Sequence, residues 1–187
     1  MRLKSGTTYS DAVNDQLVIQ YRPTQTGGYD CEGNIINSSY VVERYFVRTD
    51  VNGGGSDDER SALACAASQY EASETNLETV ATAGIYGSGQ IIMKRVDLFR
   101  VRFLVEGKRY MTVAEYNLSA TKPRILAVQL GIIARAPDKS GESSISTAQE
   151  FTLLGQTFTQ KTDFPNRYLR VPIMQTVALR NALGDRS

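Results

Sequence analysis

Two cysteines, Cys31 and Cys65, are the residues of this chain whose chemistry is most narrowly defined by type. They can form one disulfide, which would close a loop of about 35 residues and constrain the unfolded chain by about 3–4 kcal/mol. They can equally remain two buried thiols, which is common in cytosolic proteins. Taken by themselves, the cysteines do not decide between these states. Two cysteines are too few for an all-cysteine zinc site.

Histidine is absent from the sequence. This absence excludes Ser-His-Asp and Cys-His nucleophile pairs within the chain, and it also excludes the usual histidine-bearing zinc sites. Most common hydrolytic chemistries therefore lack their central residue. The composition favours a binding function over catalysis.

Oxygen ligands for a hard cation are concentrated in residues 50–59, which include Asp50, Asn52, Asp57, Asp58 and Glu59. Calcium takes such ligands. The spacing does not match an EF-hand, because Ser61 stands where the terminal glutamate belongs, and three consecutive glycines do not favour a preformed cage. We interpret this stretch as a solvated hairpin tip and predict no metal site and no cofactor.

Two short motifs resemble catalytic signatures. Ser119 and Lys122 fit the Ser-x-x-Lys pattern of penicillin-recognising enzymes, but Pro123 biases Lys122 away from helical geometry and no Lys-Thr-Gly partner is present. Residues 87–89 read Gly-Ser-Gly without the wider spacing of a nucleophile elbow. We interpret the first motif as a chance match and the second as a turn, and predict no catalytic residue.

Tyrosine and arginine are the remaining candidates for ligand binding. Ten tyrosines could form a stacking surface, but several lie inside strand patterns, where tyrosine packs as an amphipathic sheet residue: Tyr21, Tyr45, Tyr110 and Tyr168. Arginines also alternate along strands, and we expect them to form cross-strand pairs with acids on a solvated face: Arg44, Arg48, Arg100 and Arg102.

The elements that position these residues are mostly β-strands. Apolar and polar side chains alternate over residues 99–105, which is the period of a strand with one buried face. Gly107 then separates this run from residues 108–113, a pattern that predicts a hairpin. Residues 125–134 are apolar on both faces, which predicts a central strand covered on both sides. Helical signals are thin, and residues 113–117 predict a single turn.

The last strand carries the surface that we expect to bind a partner. Its apolar side chains alternate along one face from Leu169 through Val171 and Ile173. Pro172 lacks a backbone N–H for a sheet ladder, so this strand is predicted to lie at an edge or to contain a bulge. An edge strand offers backbone hydrogen bonds to another chain. We therefore predict a docking edge at Leu169, Val171, Pro172 and Ile173.

Length and charge indicate one ordinary globular domain. The chain has 187 residues, of which 41% are hydrophobic and 22% charged, and its formal net charge is +1. No basic block is present, so dedicated nucleic-acid or membrane binding is not expected. No apolar stretch is long enough to span a bilayer, and no secretory leader follows Met1.

Four segments follow one another in an informative order. Residues 16–23 form a strand-like pattern before Cys31, residues 40–48 form a second one before Cys65, and residues 123–130 and 177–181 come late in the chain. In this order the chain resembles the soluble head of a PilW-type minor pilin from the type IV pili of Gram-negative bacteria, and it is closest to an Acinetobacter-like branch. The resemblance extends from about residue 15 to residue 183.

The resemblance implies an α+β fold, a type IV pilin-like head dominated by antiparallel β-sheet. It also implies that the N-terminal hydrophobic helix of such proteins is largely truncated here. Residues 1–6 are then expected to be an expression-derived or flexible N-terminus, and residues 7–187 a single head domain. A periplasmic setting is oxidising, so the resemblance favours a disulfide between Cys31 and Cys65.

The resemblance further implies a non-enzymatic subunit of a pilus-tip complex. Such a subunit primes assembly of the pilus and supports twitching motility, adhesion and DNA uptake. Its expected partners are other minor pilins, the major pilin and a pilus-tip adhesin, without direct nucleic-acid binding. The full-length form is expected to be anchored in the inner membrane with its head in the periplasm, and then to enter the pilus. The alternatives are a secreted adhesin or carbohydrate-binding module, a minor pseudopilin of type II secretion, and, least favoured, a periplasmic enzyme.

Overall fold

Antiparallel β-strands dominate the computed structural model of this chain, which describes residues 9, 12–25, 27–55, 59–73, 84–107, 109–139, 149–161 and 168–179. Within these residues the elements are β1 (Leu17–Tyr21), β2 (Tyr40–Thr49), β3 (Ser61–Tyr70), β4 (Gln90–Lys94), β5 (Val96–Val105), β6 (Arg109–Thr112), α1 (Val113–Leu118), β7 (Ile125–Lys139), β8 (Glu150–Leu153), β9 (Gln156–Thr159) and β10 (Tyr168–Ala178). The expected α+β fold dominated by antiparallel sheet is confirmed. No helix within the described residues is long and apolar enough to cross a membrane.

The described residues form two compact units. Of these residues, the first unit holds those between Gln16 and Arg95, and the second holds Tyr9, residues 12–15 and those between Val96 and Leu179. The expectation that residues 7–187 form a single head domain stays a prediction. Residues 1–6 lie outside the described part of the chain.

The first unit contains an antiparallel sheet in which β1, β2, β3 and β4 lie side by side in chain order. The strand-like patterns of residues 16–23 and 40–48 are confirmed as β1 and β2. Small alanines of β3 allow close packing against Phe46, and this cluster is completely buried: Phe46, Ala64 and Ala66. A second cluster joins Val42, Tyr70 and Ile85.

The second unit contains a sheet in the order β10, β7, β5, β6 and a separate hairpin of β8 and β9. The predicted central position of this strand is confirmed, because β7 pairs with β10 on one side and β5 on the other, but the predicted cover of both faces is not complete. Its buried face includes Ala127, Gly131 and Ile133, whereas the alternate residues are half-buried. The predicted hairpin is also confirmed: β5 pairs with β6, and Gly107 between them has a φ of +87°.

The β8–β9 hairpin belongs to the core of the second unit. Its two-residue turn places Leu154 and Gly155 at φ values of +51° and +74°, as a hairpin turn with two positive φ angles requires. The core cluster is formed by Tyr9, Ala12, Leu98, Ile133, Leu153, Leu154 and Phe158. A Cβ at Gly131 of β7 would lie only 2.9 Å from the Cγ atoms of Leu153 and Leu154. The absence of a side chain at Gly131 therefore makes room for the hairpin.

Helix α1 is the predicted single turn, and its N-terminus explains why it forms. The Thr112 hydroxyl accepts a hydrogen bond from the Glu115 N–H, while the Glu115 carboxylate accepts one from the Thr112 N–H, which makes a capping box. Tyr116 packs edge-on against Phe103 of β5, with the ring centres 5.2 Å apart. The helix is thereby fixed to the sheet.

Candidate docking surface and the disulfide-anchored loop

Cys31 and Cys65 form a disulfide in the first unit, the pairing that the family resemblance implied. Cys31 lies in the loop between β1 and β2, and Cys65 is fully buried in β3. Their Cα atoms are 6.0 Å apart, which is an ordinary separation for a disulfide. The bond joins the loop to a central strand and occupies both sulfur atoms.

A buried carboxylate, Glu43, holds the same loop. Its Oε1 accepts hydrogen bonds from the Cys31 N–H at 2.9 Å and from the Tyr21 hydroxyl at 3.2 Å. Its Oε2 accepts one from the Tyr45 hydroxyl at 2.7 Å. Tyr21 and Tyr45 are thus committed to internal contacts, in agreement with their interpretation as sheet residues.

The tyrosines beside Glu43 titrate at higher pH than ordinary tyrosines. Burial raises the pKa of Tyr21 to about 12, and the charge and hydrogen bond of Glu43 contribute further. Burial also raises the pKa of Tyr45, with the hydrogen bond to Glu43 as the next cause. Both hydroxyls therefore remain protonated donors near neutral pH. Sequence reasoning missed Glu43, although its period-two spacing from Tyr45 placed both residues on one face of β2.

Further side chains fix the cysteine-bearing loop to β3. Asp30 Oδ1 accepts from the N–H groups of Glu32 and Asn34 at 3.0 and 2.9 Å, which closes the turn that carries Cys31. Glu32 Oε2 then accepts from the Ala67 N–H of β3 at 2.8 Å, and the Gln69 side chain donates to Asp30 at 3.2 Å. The loop is a firmly held part of the first unit.

The prediction of a solvated arginine face is wrong for Arg44. This side chain is buried, its guanidinium lies 3.9 Å from the centre of the Phe46 ring, and it donates to the Gly87 carbonyl at 3.2 Å. Arg48 likewise donates to the Gly89 carbonyl at 3.1 Å. Guanidinium groups can stack on aromatic rings and bind several carbonyls, so these arginines attach the segment before β4 to the sheet.

Arginines of the second unit behave differently from one another. Arg100 pairs with an acid, Asp15 at 3.3 Å, but Asp15 precedes β1 and is not the predicted cross-strand partner. Arg102 instead donates to the Gln129 side chain at 2.9 Å and lies over the Tyr110 ring. Burial raises the pKa of Asp15 despite the hydrogen bond from the Val101 N–H and the charge of Arg100.

The acidic segment between β2 and β3 is a hairpin connection, as predicted, because Thr49 pairs with Ser61. Asp50 is buried, accepts from the Asn52 N–H at 3.1 Å and pairs with Lys94 at 3.5 Å. Arg60 and Arg95 join Lys94 in lining the adjacent cavity. A carboxylate paired with lysine beside two arginines does not favour a cation site. Asp57 and Asp58 lie outside the described residues.

The two motifs that resembled catalytic signatures have structural roles. Lys122 Nζ donates to the Tyr116 carbonyl at 2.9 Å, which satisfies a carbonyl at the end of α1, and Ser119 is the C-cap residue of that helix. The Gly87 N–H donates to the Gly84 carbonyl at 2.9 Å, so this segment is the predicted turn.

The predicted docking edge lies on β10, at the end of the strand order of its sheet. Among the described residues β10 pairs with β7 alone, which confirms the edge position inferred from Pro172, while the docking role stays a prediction. Large apolar side chains remain exposed along the strand, at 62% for Leu169, 50% for Val171 and 47% for Ile173. We call the side chains of Leu169, Val171, Ile173, Val177 and Leu179 the apolar edge surface.

The two faces of β10 differ in their neighbours. Alternate residues of a strand point to opposite faces, so the apolar edge surface lies on one face. There it continues onto half-buried β7 side chains opposite Val171, Ile173 and Val177, namely Ala134, Ile132 and Val128. On the other face the Met174 sulfur accepts from the Leu154 N–H at 3.3 Å, so the β8–β9 hairpin lies close to this part of the strand.

Comparison with known proteins identifies the class. The family model described as PilW, Type IV Pilus-assembly protein W, matches residues 44–181, which is most of the chain. A solved type IV-like pilin from Thermus thermophilus is similar with a TM-score of 0.46 and 18% identity, covering 90% of this chain and 79% of that one. No curated protein sequence gives a significant match.

The chain is therefore a component of the type IV pilus machinery. It belongs to the PilW family of type IV pilus-assembly proteins. Its coarse role is pilus assembly, which in this family is generally non-catalytic and implies association with other pilus components outside the cytoplasm.

Proposed function

We propose that this chain is the head of a non-enzymatic minor pilin that joins other minor pilins in a tip complex priming type IV pilus assembly. In this role it supports twitching motility, adhesion and DNA uptake. The full-length subunit is anchored in the inner membrane with its head in the periplasm before it enters the pilus. Membership of the PilW family carries the proposal.

The physical support is a combination of a firmly held loop and an open sheet edge. The disulfide and Glu43 fix the loop that carries Cys31, so the first unit can keep its shape outside the cytoplasm. The apolar edge surface offers side chains that would be covered by a neighbouring subunit, and apolar burial is the main driving force of protein association. The docking partner at Leu169, Val171, Pro172 and Ile173 is another minor pilin, with the major pilin and a tip adhesin as further neighbours in the fibre.

The test is genetic. The gene is deleted in the source bacterium, and sheared surface pili are counted with and without the retraction motor. A subunit that primes assembly should be needed for normal pilus numbers, and disabling retraction should restore part of them because slow initiation then has time to accumulate fibres. Complementation with the intact gene provides the control.

Normal piliation and normal twitching in the deletion strain would contradict the proposal and favour an accessory adhesin. Loss of type II secretion with unchanged pili would instead favour a minor pseudopilin. A Cys31→Ser strain adds a separate measurement, since loss of the disulfide should lower pilus yield through a less stable head.

A further inference from the structure

The register of β10 fixes which of its backbone groups face away from the sheet. The Leu179 N–H donates to the Leu126 carbonyl of β7 at 2.9 Å. In an antiparallel pair, residues that bond to the neighbouring strand alternate with residues whose N–H and C=O point the other way. Odd-numbered residues of β10 therefore bond to β7. The N–H groups of Met174, Thr176 and Ala178 point outward.

Pro172 is also even-numbered, so its backbone nitrogen faces outward, and this nitrogen carries no hydrogen to donate. It therefore interrupts the outer edge without disturbing the ladder to β7. On its C-terminal side, three consecutive outward positions each carry a donor and an acceptor: Met174, Thr176 and Ala178. The outer edge is thus a defined hydrogen-bonding segment that begins after the proline.

After Pro172 the segment carries no further protection against pairing. Exposed edge strands normally carry prolines, lysines, other charged residues or bulges that discourage strand addition, and Pro172 is such a residue at the start of this segment. Residues 171–179 contain no charged residue, and their exposed side chains include Met174 at 54% and Val177 at 46%. The Gln175 side chain donates to the outward Thr176 carbonyl at 3.3 Å, near the limit of a hydrogen bond. A partner N–H can replace this weak contact.

We propose that the outer edge of residues 174–178 binds an extended, uncharged strand of another minor pilin by strand addition, with Pro172 setting where the pairing starts. The lack of charge on this edge indicates which kind of strand can bind. A charged strand would bring its charged side chains beside an apolar edge and lose their hydration, whereas an uncharged apolar strand has no such cost. The identity of the partner as a pilus subunit rests on the proposed function. Backbone pairing with the partner is thereby assigned to residues 174–178, whereas the sequence had predicted docking at residues 169–173.

The test measures hydrogen exchange of individual amides by NMR in the 187-residue chain. Purified heads of the other minor pilins from the same pilus are added one at a time. The free chain should exchange rapidly at Met174, Thr176 and Ala178 and slowly at the alternate residues bonded to β7. One of the added heads should protect the three outward amides.

Matched variants separate the backbone from the side chain. Thr176→Pro removes an outward N–H and leaves the ladder to β7, and it should weaken binding by about tenfold. Thr176→Val loses the hydrogen bond from Gln129 to the threonine hydroxyl but keeps the N–H, so its affinity should change less than about twofold. Pro172→Thr restores a donor at the edge, and protection should then extend to residue 172.

Binding that leaves the outward amides unprotected would overturn strand addition while the pilus phenotype still supports the proposed function. Protection that appears when the chain is merely concentrated would overturn the choice of partner in favour of a second copy. Absence of binding to every minor pilin head would overturn the inference. Normal piliation and twitching in the deletion strain, by contrast, would contradict the proposed function itself.

Discussion

The edge strands of the first unit's sheet and the β10 edge of the second unit's sheet differ in length and in charge. In the first unit the edge strands β1 and β4 are each five residues long, and Arg22 and Lys94 stand at their ends. In the second unit β10 is an edge strand of eleven residues whose final segment has no charge. Short, charged edges discourage pairing with other chains, and long apolar edges invite it.

Buried polar groups, in contrast, hold both units, because Arg170 of β10 donates to the buried Asp97 carboxylate at 2.8 Å in the second unit. The first unit fixes its cysteine-bearing loop with a disulfide and with the carboxylates of Asp30, Glu32 and Glu43. These contacts limit the ways in which the loop can move. The two regions therefore differ at their sheet edges, and the long, uncharged edge of β10 is the one that we propose for docking.

The largest effect should follow removal of the disulfide. Replacing Cys31 and Cys65 together with alanine should lower the free energy of unfolding by about 3–4 kcal/mol, because the unfolded chain regains the freedom that the closed loop had removed. Urea unfolding followed by circular dichroism measures this change. Hydrogen exchange should increase first at β2 and β3.

A reductant supplies the control for the disulfide. Dithiothreitol should destabilise the wild-type protein by a similar amount and leave the double alanine variant unchanged. Equal urea midpoints for the oxidised wild type and the variant would mean that the other loop contacts suffice, and the contrast between the two units would then lose its covalent part.

Close packing beside Cys65 gives the next effect. Gly89 has a φ of +59°, and a Cβ there would lie 2.3 Å from the Cys65 carbonyl oxygen. Gly89→Ala should therefore lower the free energy of unfolding by about 2–3 kcal/mol, through both backbone strain and the clash.

Gly107 in the β5–β6 turn has a φ of +87° with nothing within 4 Å of a Cβ. Gly107→Ala should cost about 1 kcal/mol from strain alone. Similar losses in the two variants, measured by urea unfolding, would contradict the close approach of Gly89 to β3.

Alkaline pH should weaken the first unit through the tyrosines that bind Glu43. The pKa of Tyr21 is raised from 10.0 to about 12, so at intermediate pH the folded state binds more protons than the unfolded state. Stability from this group is therefore complete below pH 10 and is lost as the pH rises toward 12. The urea midpoint should fall over this range, and Tyr21→Phe should make the fall less steep. Tyr29→Phe, at an exposed position, should leave the slope unchanged. Equal slopes for Tyr21→Phe and the wild type would remove Tyr21 as the cause.

Local patterns predicted much of the fold, and contacts between distant residues supplied the rest. The alternation of apolar and polar residues predicted β5, and the apolar residues on both faces of residues 125–134 predicted the central position of β7. Pro172 predicted the edge position of β10. The burial of Arg44 could not be predicted, because it depends on the Gly87 carbonyl, which is more than forty residues away in the chain. Glu43 reads as a surface residue until its distance to the Cys31 loop is known. The outward donors after Pro172 likewise required the register of β10 against β7.

The smallest effect on stability, and the sharpest test of the comparison, should come from a lysine on each edge. Ile173→Lys on β10 and Val18→Lys on β1 both replace side chains about half exposed, at 47% and 53%. Each should change the free energy of unfolding by less than about 1 kcal/mol, because neither side chain is in the core. Only the β10 variant should reduce surface pili, since a lysine there places a charge within the apolar edge surface. Immunoblots of sheared pili, normalised to the cellular level of the subunit, measure the outcome. Equal pilus loss in both variants, or normal piliation with Ile173→Lys, would mean that the open edge of β10 does not distinguish the two units in assembly.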